Sequence, residues 1–99
     1  MDKLTLIKNS FEDWYNHTNH TNVSVAINYS DEQTLRIKAY HKVTISIYII
    51  GIKDNMSYSY PLITLTENYN HGVTTEDEAK DNMIQSLLRK LYDYTSIVH

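Results

Sequence analysis

One stretch of this 99-residue chain alternates apolar and polar residues without a break. From Leu35 to Ile49, every odd-numbered position holds an apolar residue or His41. A period of two is the pattern of a β-strand with one buried face, because successive side chains of a strand point to opposite faces. The pattern favours one long strand from about Thr34 to Ile50, bent or bulged near His41. A hairpin inside it would mix the two faces or would need a turn without Gly or Asn.

A second strand is predicted before this stretch. From Val23 to Tyr29, larger apolar residues alternate in the same way with the smaller Ser24, Ala26 and Asn28. The next three residues, Ser30–Glu32, are polar and predict the turn that joins the two strands. With that turn, apolar residues of one strand face apolar residues of the other.

A third strand is predicted after the long stretch, from Ser57 to about Glu67. The intervening turn is placed at Lys53–Asn55, so that Ile52 pairs with Met56. Pro61 lies inside this strand, and proline cannot donate a ladder hydrogen bond. The third strand is therefore expected at an edge of the sheet.

Two amphipathic helices flank the strands. From Asp2 to about His17 the apolar residues recur every three to four positions, and the Asn-rich repeat after this segment predicts the end of the helix. Thr75 and Glu78 match a capping box, which begins a second helix that extends to about Ser96. The fold class predicted for residues 1–99 is a single α+β domain in the order helix-strand-strand-strand-helix. Both helices are expected on one face of an antiparallel sheet, the odd-numbered face.

The composition argues against catalysis. There is no cysteine, which excludes disulfides, thiolate nucleophiles and cysteine zinc sites, and two glycines provide no phosphate-binding loop. His17 and His20 have a spacing compatible with a zinc site, but a loop at the end of the first helix is the preferred interpretation. We expect no enzymatic activity and no cofactor.

The expected location is the cytoplasm. The first ten residues include Asp2, Lys3 and Lys8, which does not resemble a signal-peptide core. No run of residues approaches the length of about 18 apolar residues that a membrane span needs. No membrane partner is expected.

The even-numbered face of the sheet is the most informative surface. With both helices on the opposite face, several large side chains would be exposed together. These are Tyr40, Tyr48, Ile50, Tyr58 and Tyr60. Tyrosine is enriched at protein interfaces, and cross-strand tyrosine pairs also stabilise sheets. A partner interface, a homodimer through the sheet face and a plain sheet surface are left as alternatives.

Basic residues share this even-numbered face. Arg36, Lys38 and Lys42 lie in a segment, residues 33–53, that contains four basic residues and no acidic one. Aromatic stacking combined with phosphate contacts is the way in which single-stranded nucleic acid is bound. The net charge of −3 for the whole chain argues in the other direction.

An acidic cluster begins the second helix. Its residues are Glu76, Asp77, Glu78 and Asp81. Negative charge in the first turns of a helix is favoured by the helix dipole, which explains the cluster without a function. The functional alternative is an acidic patch that enters a basic cleft on a partner, as nucleic-acid-mimicking inhibitors do.

The order of elements resembles that of double-stranded RNA-binding domains. Glu78-Ala79-Lys80, near the start of the second helix, is similar to a fragment of the motif of that family. The resemblance implies the α+β fold and a nucleic-acid-binding module that uses the basic, tyrosine-rich sheet face. The family carries a lysine cluster at this helix start, whereas the matching turn here, Glu76-Asp77-Glu78, has the opposite charge.

These observations lead to one functional expectation and one alternative. A short chain, a composition typical of AT-rich codons and the lack of an enzyme motif are together common among accessory proteins of phages and mobile elements. We expect a non-catalytic inhibitor of a host protein, such as a CRISPR-associated or other defence nuclease, in the manner of anti-CRISPR proteins. A host protein is then the expected partner, and the host cytoplasm is the expected location. The alternative is the nucleic-acid-binding module.

Overall fold

The computed structural model describes residues 2–33 and 40–97, which form two helices and three strands. In chain order the elements are α1 (Lys3–Asn19), β1 (Ser24–Gln33), β2 (Tyr40–Lys53), β3 (Met56–Asn70) and α2 (Glu76–Ile97). The strands form one antiparallel sheet in the order β1-β2-β3. The predicted α+β class and order of elements are confirmed. Pro61 lies on an edge strand, as predicted.

The central strand β2 carries the most deeply buried side chains. Four alternate residues of this strand are at most 1% exposed to solvent: Val43, Ile45, Ile47 and Ile49. The predicted period of two therefore holds for the apolar side chains of β2, and the small Ser46 between Ile45 and Ile47 is buried as well, at 4% exposure. His41 lies inside the strand, so there is no hairpin turn at this position. The predicted beginning of the strand, residues 34–39, lies outside the described residues.

β1 is longer than the sequence predicted. It continues to Gln33, through Ser30–Glu32, so the prediction of a turn at these three residues is wrong. The reason is that the polar Asp31 finds hydrogen-bond partners across the sheet, His41 and Tyr69. A polar residue whose hydrogen-bonding capacity is satisfied in this way can occupy a strand.

The described residues group into two compact units. The first unit contains residues 2–27 and 46–63, and the second contains residues 28–33, 40–45 and 64–97. All three strands contribute residues to both units. Helix α1 belongs to the first unit and helix α2 to the second.

In the first unit, two side chains of α1 hydrogen-bond to the backbone of Val23, just before β1, and of Val25, inside β1. Glu12 Oε2 accepts the N–H of Val25 at 2.8 Å. The amide of Asn16 accepts the N–H of Val23 at 2.8 Å and donates to its carbonyl at 2.9 Å. β1 is an edge strand, and edge backbone groups need partners when they are removed from water. The helix therefore covers this edge with its own side chains.

Helix α1 ends at Asn19, two residues beyond the predicted end. The next residue, His20, adopts the left-handed conformation (φ 54°, ψ 46°) that commonly terminates helices. Asn16 Oδ1 also accepts a hydrogen bond from Thr21 Oγ1 at 2.9 Å. The side chain of Asn16 thus bonds to the following loop instead of competing with the helix. Asp2 occupies the N-cap position of α1, but its side chain makes no capping hydrogen bond.

The turn between β2 and β3 has two residues, not three. Asp54 and Asn55 both have positive φ, 54° and 64°. Two consecutive positive φ angles define the type I′ turn, whose twist matches that of a hairpin, and Asp and Asn tolerate this conformation. Lys53 and Met56 consequently face each other at the ends of the strands. The predicted pairing of Ile52 with Met56 is wrong.

In the second unit, α2 buries one apolar side. The residues on this side, each at most 7% exposed, are Ala79, Met83, Ile84, Leu87 and Leu91. At its start, Thr75 Oγ1 accepts the N–H of Glu78 at 3.2 Å, which confirms the predicted cap. The helix extends to Ile97, one residue beyond the predicted end.

The pairing of β3 with β2 differs by one residue between the two units. In the second unit Thr44 lies opposite Thr66, with 3.4 Å between the hydroxyl oxygens, so even positions face even positions. In the first unit the two-residue turn sets even positions of β3 opposite odd positions of β2. The odd-numbered side chains of β2 stay buried from Val43 to Ile49, so β2 does not change its facing and the extra residue lies in β3, where the adjacent Leu62 and Ile63 are both half-buried. This is the signature of a β-bulge.

The bonds of Asn16 give a stability prediction. Asn16→Ala leaves the N–H and C=O of Val23 without their side-chain partner, and we expect the free energy of unfolding to fall by about 2 kcal/mol. Asn19→Ala is the matched control, because it lies in the same helix turn and loses only one exposed hydrogen bond. For this control we expect a loss below about 0.5 kcal/mol. Urea unfolding of both variants tests the prediction, and equal losses would contradict it.

Candidate interaction surface

The two-residue turn decides which large side chains share a face in the first unit. With Lys53 opposite Met56, Tyr58 lies opposite Gly51 and Tyr60 opposite Ile49. A side chain at Gly51 would collide with the ring of Tyr58, which confirms that both lie on one face. The predicted face that joins Tyr58 and Tyr60 to Tyr48 and Ile50 is therefore wrong.

Tyr58 and Tyr60 form a stacked pair on the side of helix α1. Their ring centroids are 6.1 Å apart and their planes differ by 8°. The hydroxyl of Tyr60 lies 3.1 Å from that of Tyr15 in α1. The two rings remain 38% and 39% exposed. They border the helix-covered face and still present an aromatic surface to solvent.

The opposite face of the first unit carries an open apolar row, which we define as Tyr48, Ile50 and Ile52. Ile52 is 79% exposed and Ile50 is 38% exposed, whereas Tyr48 is half-buried. The turn register places the small Ser57 and Ser59 of β3 beside the two isoleucines. Small neighbours leave the isoleucines open to solvent.

Sequence reasoning missed Ile52 and Met56 as surface residues. Tyr48, Ile50 and Ile52 are even-numbered residues of the same strand. The alternation of the strand alone therefore predicts that Ile52 lies on the same face as the other two. Met56 is 72% exposed and lies on the other face, next to the turn. The end of the β2–β3 hairpin therefore exposes apolar side chains on both faces.

The remaining predicted residues of the sheet face do not join this row. Tyr40 belongs to the second unit, is 42% exposed and lines an open groove of about 500 Å³ with Val43, Tyr69 and Ala79. Arg36 and Lys38 lie outside the described residues.

The acidic cluster of α2 is on the surface of the second unit. Its four members, Glu76, Asp77, Glu78 and Asp81, are all exposed. The first three occupy the first turn of the helix. Glu78 Oε1 also accepts a hydrogen bond from the hydroxyl of Thr75 at 3.2 Å. The favourable interaction of carboxylates with a helix N-terminus accounts for this placement.

A polar network that the sequence did not suggest crosses all three strands of the second unit. The carboxylate of Asp31 is 8% exposed and uses both oxygens. One oxygen lies 2.7 Å from Nδ1 of His41, and the other accepts the hydroxyl of Tyr69 at 2.7 Å. The ring of His41 stacks on Tyr69 at 5.1 Å and lies 5.2 Å from the ring of His71. No local sequence motif predicts this network, because its members are far apart in sequence.

Burial and negative charge raise the pKa of two tyrosines of the second unit, Tyr69 in the network and Tyr29 in β1. Burial raises the pKa of Tyr69 far above its ordinary value, and the hydrogen bond to Asp31 raises the pKa further. Burial also raises the pKa of Tyr29, with smaller contributions from the charges of Asp31 and Glu76. Lys80 Nζ lies 5.3 Å from the centre of the Tyr29 ring, a cation–π distance. The raised pKa values keep both phenols neutral near the buried carboxylate of Asp31.

The contacts of the network give it a structural role, which is to link the three strands. Asp31 joins β1 to β2 through His41 and to β3 through Tyr69, so one buried carboxylate bonds to both other strands. Within residues 2–33 and 40–97, no three His, Asp or Glu side chains are grouped so that they could hold a metal ion. His17 is an exposed residue of α1 and His20 follows the end of that helix.

Comparisons with known proteins leave the family of the chain open. No family model, no curated protein and no solved structure matches it. Neither of the two described helices has both the length and the apolar composition to cross a membrane.

The Tyr69 hydrogen bond predicts a pH-dependent stability. Because the pKa of Tyr69 is raised in the folded state, its contribution is fully present below about pH 10, the pKa of an unfolded tyrosine, and is lost as the pH rises through the raised value. Tyr69→Phe should lower the free energy of unfolding by about 1–2 kcal/mol at pH 7 and reduce its decline above pH 10.

Urea unfolding at pH values from 7 to 11, with absorbance titration at 295 nm, measures both effects. Tyr92→Phe is the control, because the ring of Tyr92 is 72% exposed. A Tyr69→Phe variant as stable as this control at pH 7, with an unchanged alkaline decline, would contradict the prediction.

Proposed function

We propose that this chain is a non-catalytic binding protein that contacts a partner protein through the open apolar row of its first unit. The observation that carries the proposal is the exposure of Ile52, at 79%, beside the 38% exposed Ile50. Large contiguous apolar patches are uncommon on monomeric proteins and mark sites of interaction. The other face of the hairpin end exposes Met56, Tyr58 and Tyr60, which form a separate apolar surface.

The charge of the hairpin favours a protein over a nucleic acid as the partner. Residues 44–52 and 56–66 contain no charged side chain, and the whole chain has a net charge of −3. Affinity for nucleic acids depends largely on contacts between basic side chains and phosphates. Apolar and aromatic anchors are instead what protein interfaces use at their centres.

The finer proposal is that the partner is a host protein and that binding inhibits it. A composition typical of AT-rich codons and the absence of a sequence motif for catalysis support this proposal by association. A nuclease that defends the host, such as a CRISPR-associated one, is the partner class that also fits the acidic cluster. In the proposed mode the exposed Glu76, Asp77, Glu78 and Asp81 take the place of phosphates in the basic cleft of the nuclease.

Serine substitutions in the row test the proposal. Ile50→Ser with Ile52→Ser removes two apolar anchors at exposed positions, so the fold should persist while the affinity for the partner falls about tenfold or more. The measurement is quantitative capture from a lysate of the natural host, with nuclease treatment, at low and at moderate salt. Circular dichroism verifies the fold.

The matched control is Val73→Ser with Tyr92→Ser. It removes two apolar side chains of the second unit that are 83% and 72% exposed. Loss of capture only in the isoleucine variant supports the proposal, whereas equal capture by both variants contradicts it. Recovery of nucleic acid alone, lost at moderate salt, would favour the nucleic-acid-binding alternative.

A further inference from the structure

The outer edge of β3 is open in the first unit. β3 has 15 residues and is an edge strand, and every residue from Met56 to Pro61 is exposed. An edge strand presents a row of backbone N–H and C=O groups to which another strand can pair. Among residues 2–33 and 40–97, the backbone hydrogen bonds formed outside helices and strands do not involve this segment.

The turn determines which residues of β3 direct their backbone groups outward. In a two-residue hairpin the residues that flank the turn, Lys53 and Met56, form a hydrogen-bonded pair. Every second residue from Met56 then bonds to β2, and the residues between them, Ser57, Ser59 and Pro61, point N–H and C=O away from the sheet. Pro61 has no N–H, and on the outer side this costs no bond to β2.

The segment of β3 at this edge lacks the charged side chains that protect the edges of most sheets. Natural proteins commonly guard an edge with charged side chains, above all lysine. Residues 56–66 of β3 carry no charge over eleven positions, in a chain whose net charge is −3. Two copies of an acidic chain repel each other, and an uncharged edge is where this repulsion is weakest. The charge pattern therefore suits a second copy of the same strand.

We infer that β3 pairs antiparallel with β3 of a second copy, around a two-fold axis at Ser59. Ser59 then lies opposite its counterpart, and the two residues exchange both backbone hydrogen bonds. The N–H of Ser57 donates to the C=O of Pro61 in the other copy. By symmetry, the N–H of Ser57 in the other copy donates to the C=O of Pro61 in this one. In this register both outward N–H groups of residues 57–61 are bonded, and Pro61 serves only as an acceptor.

The same register brings the tyrosine pairs together. Tyr58 of each copy lies opposite Tyr60 of the other, on the face where the two rings already stack. Aromatic pairs across neighbouring strands stabilise a sheet. The inference concerns the outer backbone of β3 and goes beyond the proposed function, which concerns side chains on the open face of β2.

Sedimentation equilibrium of the full chain over a range of concentrations tests this dimer. The wild type should approach twice the 11.6 kDa mass of the chain as its concentration rises. Ser59→Lys places like charges opposite each other at the two-fold axis and should raise the dissociation constant about tenfold or more. Ser59→Thr, an uncharged residue that favours strands, should remain within about threefold of the wild type.

Two further variants keep the test decisive. Ser59→Pro removes the central outward N–H without removing a bond to β2, and should weaken the dimer as Ser59→Lys does. Ile50→Ser with Ile52→Ser should leave the dimer intact, which separates this result from the capture experiment. Circular dichroism reports the fold of each variant. A wild type that stays at 11.6 kDa at all concentrations, or a Ser59→Lys variant that associates as tightly, would overturn the inference.

Discussion

The burial of alternate side chains along β2 is the constraint on which the rest of the structure depends. Val43, Ile45, Ile47 and Ile49 are almost completely removed from solvent, and β2 is the central strand of the sheet. Each of these side chains contributes on the order of 2 kcal/mol when it is buried, so neither unit can form a core without its part of this strand. Burial of one face also determines that Tyr48, Ile50 and Ile52 lie on the other.

The turn at Asp54 and Asn55 adds the second constraint, the register of β3. A slip of one residue in a strand moves every side chain to the opposite face. With two turn residues, Tyr58 packs against Gly51 on the side of α1, and the isoleucines are left beside serines. Two apolar surfaces thus occur at one hairpin, an aliphatic row on the open face and a tyrosine pair beside the helix. The first is proposed to bind a partner, and the edge next to the second is inferred to pair with another copy.

Much of the fold could be predicted from the sequence because local patterns encode it. The order of the helices and strands, the cap at Thr75 and the edge position of Pro61 follow from local sequence signals, and all are confirmed. The extension of β1 depends instead on Asp31 meeting His41 and Tyr69, which are distant in the chain. No local pattern distinguishes such a satisfied carboxylate from a polar turn residue.

The candidate surface was only partly predictable for the same reason. Tyr48 and Ile50 followed from the alternation of β2, and Ile52 could have been added by the same rule. The faces of Tyr58 and Tyr60 depended on the length of the turn, and both Asp-Asn and Lys-Asp-Asn are plausible turn sequences. The bulge in β3 then shifts the pairing by one residue, so the even-numbered side chains beyond it, such as Thr66, lie on the face opposite to that of Tyr58 and Tyr60. For this reason, the face of one residue of β3 does not predict the faces of all other residues of the strand by simple alternation.

Nuclear Overhauser contacts of the Tyr58 ring measure the register of the hairpin most directly. The two-residue turn predicts strong contacts between the ring protons of Tyr58 and the α protons of Gly51, and none with the side chain of Ile50. Contacts from Tyr58 to Ile50 would show that the turn has three residues. The tyrosines and the isoleucines would then form a single exposed face, and the separation of the two apolar surfaces would be contradicted.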